Sequence, residues 1–381
     1  GGITGLTPGT VTVNGSIYVS GISYGISYNA VVTEIPMNTT CFLKNGQSGK
    51  YAEIDSASVY DGELIRQWEL NGAASQRWVL NHVGDGYYTI RSACSSASFY
   101  LGVIDDSTSS GADVVLRIGN SITDGMKWKI EKLSSGSYKL TAKTGYVLAV
   151  YNQTGLNGVK LVQTRYTDDS VYTDEWVLHR EKDYTLMYLG ASSGDPEMPP
   201  ILNSVDKNLR ENAGMDGYKY TYLTKNELLL HLSSSSIFSC ITHGKQTKIA
   251  TSDEPLTGNP LSISDIESLS NSAFTNLRFV YLGSCLTGKG GSEANNLVNA
   301  LHNKGADAVL GFKVSVWADE TNLWTEEFMK ALSVPGTTIE DAADAADAAL
   351  DNDDKLGNKR YYSTQASNRY LAGSNQVVVY N

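Results

Sequence analysis

Three tryptophans impose the first constraint. The segments Gln76-Arg-Trp78-Val-Leu80, Met126-Lys-Trp128-Lys-Ile130 and Asp174-Glu-Trp176-Val-Leu178 repeat at spacings of 50 and 48 residues. Each closes a unit whose start and middle also match: residues 49–54, 98–103 and 145–150, then 61–65, 110–114 and 157–161. The units are short alternating strands with Gly, Asn and Asp at the turns, and they lack helical periodicity. A unit this small cannot bury its own apolar face. Three together close a barrel with no free edge, and one indole per unit meets the others at a pseudo-threefold core.

The chain changes character after residue 180. Two apolar, β-branched and aromatic runs stand out: Ser236-Ile-Phe-Ser-Cys-Ile-Thr-His243-Gly244 and Leu277-Arg-Phe-Val-Tyr-Leu-Gly-Ser-Cys285. Runs of this kind read as central strands of a parallel sheet, buried on both faces. Open α/β sheets place their ligands at the carboxyl ends of the strands. If the two strands are neighbours, His243 and Cys285 emerge side by side. The imidazole can then draw the proton from the sulfur.

Around these strands the pattern alternates strand and helix. Strands are expected at 183–190, 217–223, 308–316 and 376–380, the last at a sheet edge. Helices are expected at 201–212, after Thr224 with Glu227 as a capping box, after Ser262, at 292–304, at 319–332 and at 341–350. His231 lies on a helix, where a satisfied structural role is expected. The acidic residues 340, 344, 347 and 351 read as one solvated helix face. The expected architecture is an all-β domain followed by an α/β domain with a mostly parallel sheet between helices.

Residues 1–36 alternate Gly, Ser and Thr with Val, Ile and Tyr. They read as an extended leader with a hairpin turning at Asn14-Gly15. The chain begins Gly-Gly, as a processed or trimmed protein does. The 381 residues carry a net charge of −11. That balance argues against nucleic acid or an anionic membrane as the main partner. No run of 18 apolar residues is present to span a membrane. Four cysteines (41, 94, 240 and 285) do not make a disulfide scaffold, although Cys41 and Cys94 are free to pair. No metal-ligand spacing occurs, and the sequence calls for neither a metal nor another cofactor.

These motifs carry two resemblances. A hydrophobic block ending in His243-Gly244, then a second ending in Ser284-Cys285, is similar to the caspase–legumain–clostripain–gingipain clan of cysteine peptidases. Cys285-Leu-Thr-Gly288, Leu297-Val-Asn-Ala-Leu301, residues 305–311 and Val316-Trp-Ala-Asp319 follow the order of its CHAT and separase branch. This likeness covers roughly residues 183–381. It implies a caspase-like fold and a Cys285–His243 dyad acting on a protein or peptide substrate. It also implies an oxyanion site from the N–H groups of Gly244 and Cys285, and a pocket for the residue before the scissile bond. Asp319 and Asp195 are the candidates for making that pocket select Arg or Lys.

The tryptophan units resemble ricin-type β-trefoil lectins. In that family each sugar pocket takes a carboxylate from the early strand and an aromatic ring from the middle one. Only the first unit offers both, as Glu53 and Trp68. The domains so implied are a leader at 1–36, a trefoil at 37–180 and a peptidase domain at 181–381. The expected protein is a secreted, extracellular bacterial cysteine endopeptidase whose trefoil targets it or binds a glycan. The alternatives are a glycan-binding adhesin with an inactive peptidase-like domain, and a peptidase that mainly processes itself.

Overall fold

The computed structural model describes residues 9–19, 22–32, 35, 38–55, 59–94, 98–166, 174–189, 200–252, 255–351 and 363–378. Two compact units emerge. The first comprises residues 1–69 and 75–180, the second residues 70–74 and 181–381.

The first unit opens with an antiparallel hairpin of Gly9–Val19 and Ile22–Val32. Its register pairs Val19 with Ile22 and Asn14 with Ser27, so Asn14-Gly15 lies mid-strand and is not the turn expected there. The alternating pattern runs on through Ser16-Ile-Tyr-Val19, and only Ser20 and Gly21 separate the two strands. A longer ladder therefore outweighs the local turn signal.

The threefold pattern is reproduced in hydrogen bonds. Trp78, Trp128 and Trp176 are wholly buried. Each indole N–H donates to a carbonyl in the opening strand of its own unit: Ala52 O at 3.1 Å, Leu101 O at 2.9 Å and Leu148 O at 3.0 Å. The middle strands, Ile65–Trp68, Val114–Ile118 and Leu161–Thr164, join the units in a ring. Gln67 N–H donates to Val159 O (2.8 Å), Leu116 N–H to Glu63 O (2.7 Å) and Gln163 N–H to Ala112 O (2.9 Å). The last strand, Glu175–Arg180, pairs with the first, Thr39–Asn45, and closes the barrel. Cys41 and Cys94 do not form a disulfide with each other.

The second unit is built on a six-stranded sheet: β1 (Lys182–Tyr188), β2 (Gly217–Tyr220), β3 (Ser235–Ile241), β4 (Phe279–Gly283), β5 (Ala308–Phe312) and β6 (Arg369–Gly373). The spatial order is β2-β1-β3-β4-β5-β6, parallel throughout except for β6. Helices α1 (Pro200–Glu211), α2 (Lys225–Ser234), α3 (Ile263–Ser268), α4 (Leu297–Asn303), α5 (Ala318–Leu332) and α6 (Ile339–Asp351) divide between its faces. Ile237, Phe279 and Tyr281 pack with α1, α5 and α6. Their strand neighbours Phe238, Cys240, Val280 and Leu282 pack with α2, α3 and α4. The alternation explains the continuous hydrophobicity of both runs, since every position faces a core.

Three local expectations change. The closing edge strand is β6, not 376–380; Val378 makes only an isolated bridge to Thr338, and residues 379–380 lie outside the described residues. Helix α4 starts at Leu297, not 292, because Asn296 caps it by accepting from Asn299 N–H at 2.9 Å. On α6, Asp347 turns inward. It accepts from the Trp324 indole at 2.8 Å and forms a two-pronged ion pair with Arg369.

His231 on α2 is buried between the rings of Tyr218 and Tyr220. Burial lowers its pKa to about 4. The unfolded chain therefore binds a proton below its ordinary value, where the folded one does not. Stability falls as pH drops from about 6.5 toward 4, by roughly 3 kcal/mol. Urea titrations across this window should show that loss, and His231→Gln should flatten it.

Candidate active site

Strands β3 and β4 pair in parallel with Ile237 opposite Phe279 and Ile241 opposite Gly283, an offset of 42 residues. His243 and Cys285 are separated by the same 42. Each therefore lies two residues beyond its strand, at equivalent positions on the carboxyl edge of the sheet. A Cβ on Gly244 would stand 2.8 Å from the Cys285 carbonyl oxygen and 2.8 Å from Ser284 Cβ. The His-Gly turn thus packs directly against the Ser-Cys turn, and a residue without a side chain is what permits it.

The turn at Cys285 is fastened on several sides. Ser284 N–H donates to Leu282 O at 2.8 Å, and Leu286 takes a left-handed conformation with φ +63°. Leu286 N–H donates to Val314 O at 3.0 Å, while Thr287 Oγ1 donates to Ser284 O at 3.2 Å. A branched side chain at positive φ stores backbone strain, which the surrounding bonds hold in place. The Cys285 sulfur is half-buried. It accepts from Val316 N–H at 3.4 Å and faces Val316 O at 3.7 Å. His243 is exposed.

Among the described residues, neither the His243 ring nor the Cys285 N–H has a hydrogen-bond partner. Ala250 N–H donates to His243 O at 2.9 Å. That makes Gly244 and Ile249 a pair whose own N–H groups point out of the ladder. The remaining thiol of the sheet, Cys240, is fully buried and pushed up to about 12, which makes it inert as a nucleophile. A Gly244→Ala variant must push the two turns apart. If Cys285 and His243 act as the dyad the resemblance implies, turnover is expected to fall roughly 10- to 100-fold with little change in KM, read from initial rates on a fluorogenic peptide.

Asp319 stands exposed on the first turn of α5, two residues after Trp317, which is 76% exposed. Asp195 lies outside the described residues. In the trefoil, Glu53 is buried and its two oxygens accept from Arg66 at 3.1 Å and Gln76 at 2.8 Å. The Arg66 guanidinium also lies 4.2 Å over the Trp68 ring. Glu53 and Trp68 are thus brought together with Arg66 between them. Sequence reasoning passed over Arg66, although residues two apart on a strand share a face. It also passed over Val316, whose contact with the sulfur is made by backbone and leaves no sequence signal.

A parallel sheet with His-Gly and Ser-Cys at matched strand ends gives the second unit a caspase-like fold. Residues 211–366 match the CHAT domain family, a caspase-like peptidase family, and residues 35–117 match the ricin-type beta-trefoil lectin domain-like family. The chain thus joins a ricin-type trefoil to a CHAT domain.

Among solved structures it is similar to the designed threefold-symmetric protein ThreeFoil, at 32% identity over 37% of this chain and 97% of that one, TM-score 0.35. An exo-beta-1,3-galactanase from Clostridium thermocellum matches at 28% identity over 40% of this chain and 32% of its own, TM-score 0.35. The chain therefore spans about a third of the galactanase's length. The Rhizoctonia solani agglutinin matches at 19% identity over 40% of this chain and 100% of its own, TM-score 0.34. No curated protein matches the chain. No helix among the described residues is long and apolar enough to cross a membrane.

Proposed function

We propose that the chain is a cysteine endopeptidase, acting outside a bacterial cell, whose trefoil holds it near glycan-bearing substrates. The observation that carries the reading is the shared 42-residue offset of the strand register and of His243 and Cys285. The Cys285 sulfur attacks a peptide carbonyl and forms a C–S bond. His243 takes the thiol proton and passes it to the departing amine as the C–N bond breaks. The negative oxygen formed in between is met by the N–H groups of Gly244 and Cys285. Water then attacks the thioester, His243 accepts its proton, and the thiol is restored.

Support for the oxyanion site is the absence of a hydrogen-bond partner for the Cys285 N–H among the described residues, and a Gly244 N–H that stays out of its ladder. Support for a basic residue before the scissile bond is the exposed carboxylate of Asp319, close in sequence to the Val316 peptide that touches the sulfur. The test is a mixed peptide library incubated with the protein, with and without a thiol-alkylating reagent, and read by mass spectrometry. Thiol-dependent cleavage after Arg or Lys supports the whole reading. Thiol-dependent cleavage after another residue type removes the role of Asp319. No cleavage at all overturns the peptidase and favours the adhesin.

A further inference from the structure

The sulfur of Cys285 is held by a peptide that has a brace of its own. The loop carrying Val316 leaves β5 and enters α5, and it is tied at both ends to the segment before β6. At its start Lys313 N–H donates to Asn368 O at 2.7 Å. At its end Trp317 N–H reaches Ser363 Oγ at 3.5 Å. Behind Ser363 lies Glu320, on the first turn of α5 and only 1% exposed. A glutamate is seldom buried so fully without a strong set of partners.

Among the described residues, the partners of Glu320 come from the bracing segment. Its carboxylate accepts from Ser363 Oγ, from Thr364 N–H at 2.8 Å and from Thr364 Oγ1 at 2.7 Å. Arg369, itself paired with Asp347, donates to Thr364 O at 3.0 Å and fixes the segment from the other side. Bonds to an ionised acceptor are the strong ones, and three converge on this carboxylate.

We propose that Glu320 is a positioning residue for the nucleophile: through Ser363 and the Trp317 and Val316 peptides it sets where the Cys285 sulfur sits. This rests on the reading of Cys285 as the attacking group. Loss of the brace lets the Val316 peptide drift from the sulfur. The thiol is then less well placed for attack and more open to small reagents.

The test uses Glu320→Gln, Ser363→Ala and Ser363→Thr in the full chain. Two readouts are taken: the rate of Cys285 alkylation by iodoacetamide, followed by mass spectrometry, and kcat and KM on a cleaved peptide. For Glu320→Gln and Ser363→Ala we expect alkylation at least threefold faster and kcat five- to twentyfold lower, with KM within twofold. Ser363→Thr, which keeps the hydroxyl, should behave as the parent does. Should Glu320→Gln not fold, Ser363→Ala carries the test alone. Parent-like alkylation and turnover in both variants, with Cys285→Ala inactive, would overturn the brace and leave the peptidase standing. Cleavage that survives Cys285→Ala would instead remove the nucleophile; alkylation rates then decide the brace by themselves.

Discussion

Under the proposed mechanism, Cys285→Ala is expected to lower thiol-dependent cleavage by roughly a thousandfold or more. The size follows from the role proposed for the sulfur, which is to form the covalent intermediate. His243→Ala should cost nearly as much, because a thiol without its proton acceptor attacks slowly at neutral pH. The double variant should be no worse than either single one, as groups acting in one step do not add. The other cysteines provide the control. Cys41 and Cys240 are buried, and Cys94, only partly exposed, contacts Ser92 Oγ at 3.0 Å. Cys94→Ala should leave peptidase activity unchanged. Activity lost in Cys94→Ala and kept in Cys285→Ala would move the chemistry to another part of the chain.

The second large effect is on the trefoil. Trp128→Ala removes a wholly buried indole and leaves Leu101 O without the donor it now has at 2.9 Å. Emptying a large aromatic site costs about 3–5 kcal/mol, and the buried carbonyl adds to it. Against a typical domain stability of about 5–15 kcal/mol this is a large share. Chemical denaturation should show the transition of this unit moved to markedly lower denaturant. Trp128→Phe, which refills most of the volume but not the hydrogen bond, should fall between. The equivalent changes at Trp78 and Trp176 should give similar losses, because all three indoles make the same bond to their own unit. A loss confined to one of the three would show that the pseudo-symmetry is not energetic.

Much of this was legible in the chain. The tryptophan spacing set out the trefoil because three identical burial problems leave a periodic trace. The two apolar runs disclosed the central strands because a residue facing either core must be apolar, and the residues that break each run mark the sheet edge. What escaped was written in contacts between distant segments. Arg66 meets Glu53 across paired strands and covers Trp68, yet it reads as an ordinary exposed cation. Asp347 sits in a run of like residues and is singled out only by Arg369 and Trp324. The turn expected at Asn14-Gly15 failed because a local preference of this kind is weak beside eleven paired positions.

The ring of backbone bonds in the trefoil has a consequence for how such a domain can be assembled. Each pair of units exchanges two bonds through the middle strands, one in each direction: Gln67 N–H to Val159 O is answered by Gly158 N–H to Gln67 O at 2.9 Å, Leu116 N–H to Glu63 O by Gly62 N–H to Leu116 O at 2.8 Å, and Gln163 N–H to Ala112 O by Gly111 N–H to Gln163 O at 2.7 Å. In this ring every unit is a donor twice and an acceptor twice, and the ring has no first member. Two units alone would strand two amides and two carbonyls and leave a sheet edge bare. A single unit has the same complement, two offered and two wanted, and three separate copies could satisfy it around an axis. The covalent links between units therefore decide stoichiometry more than shape. A fragment carrying one unit is expected to seek two others of its kind before it folds.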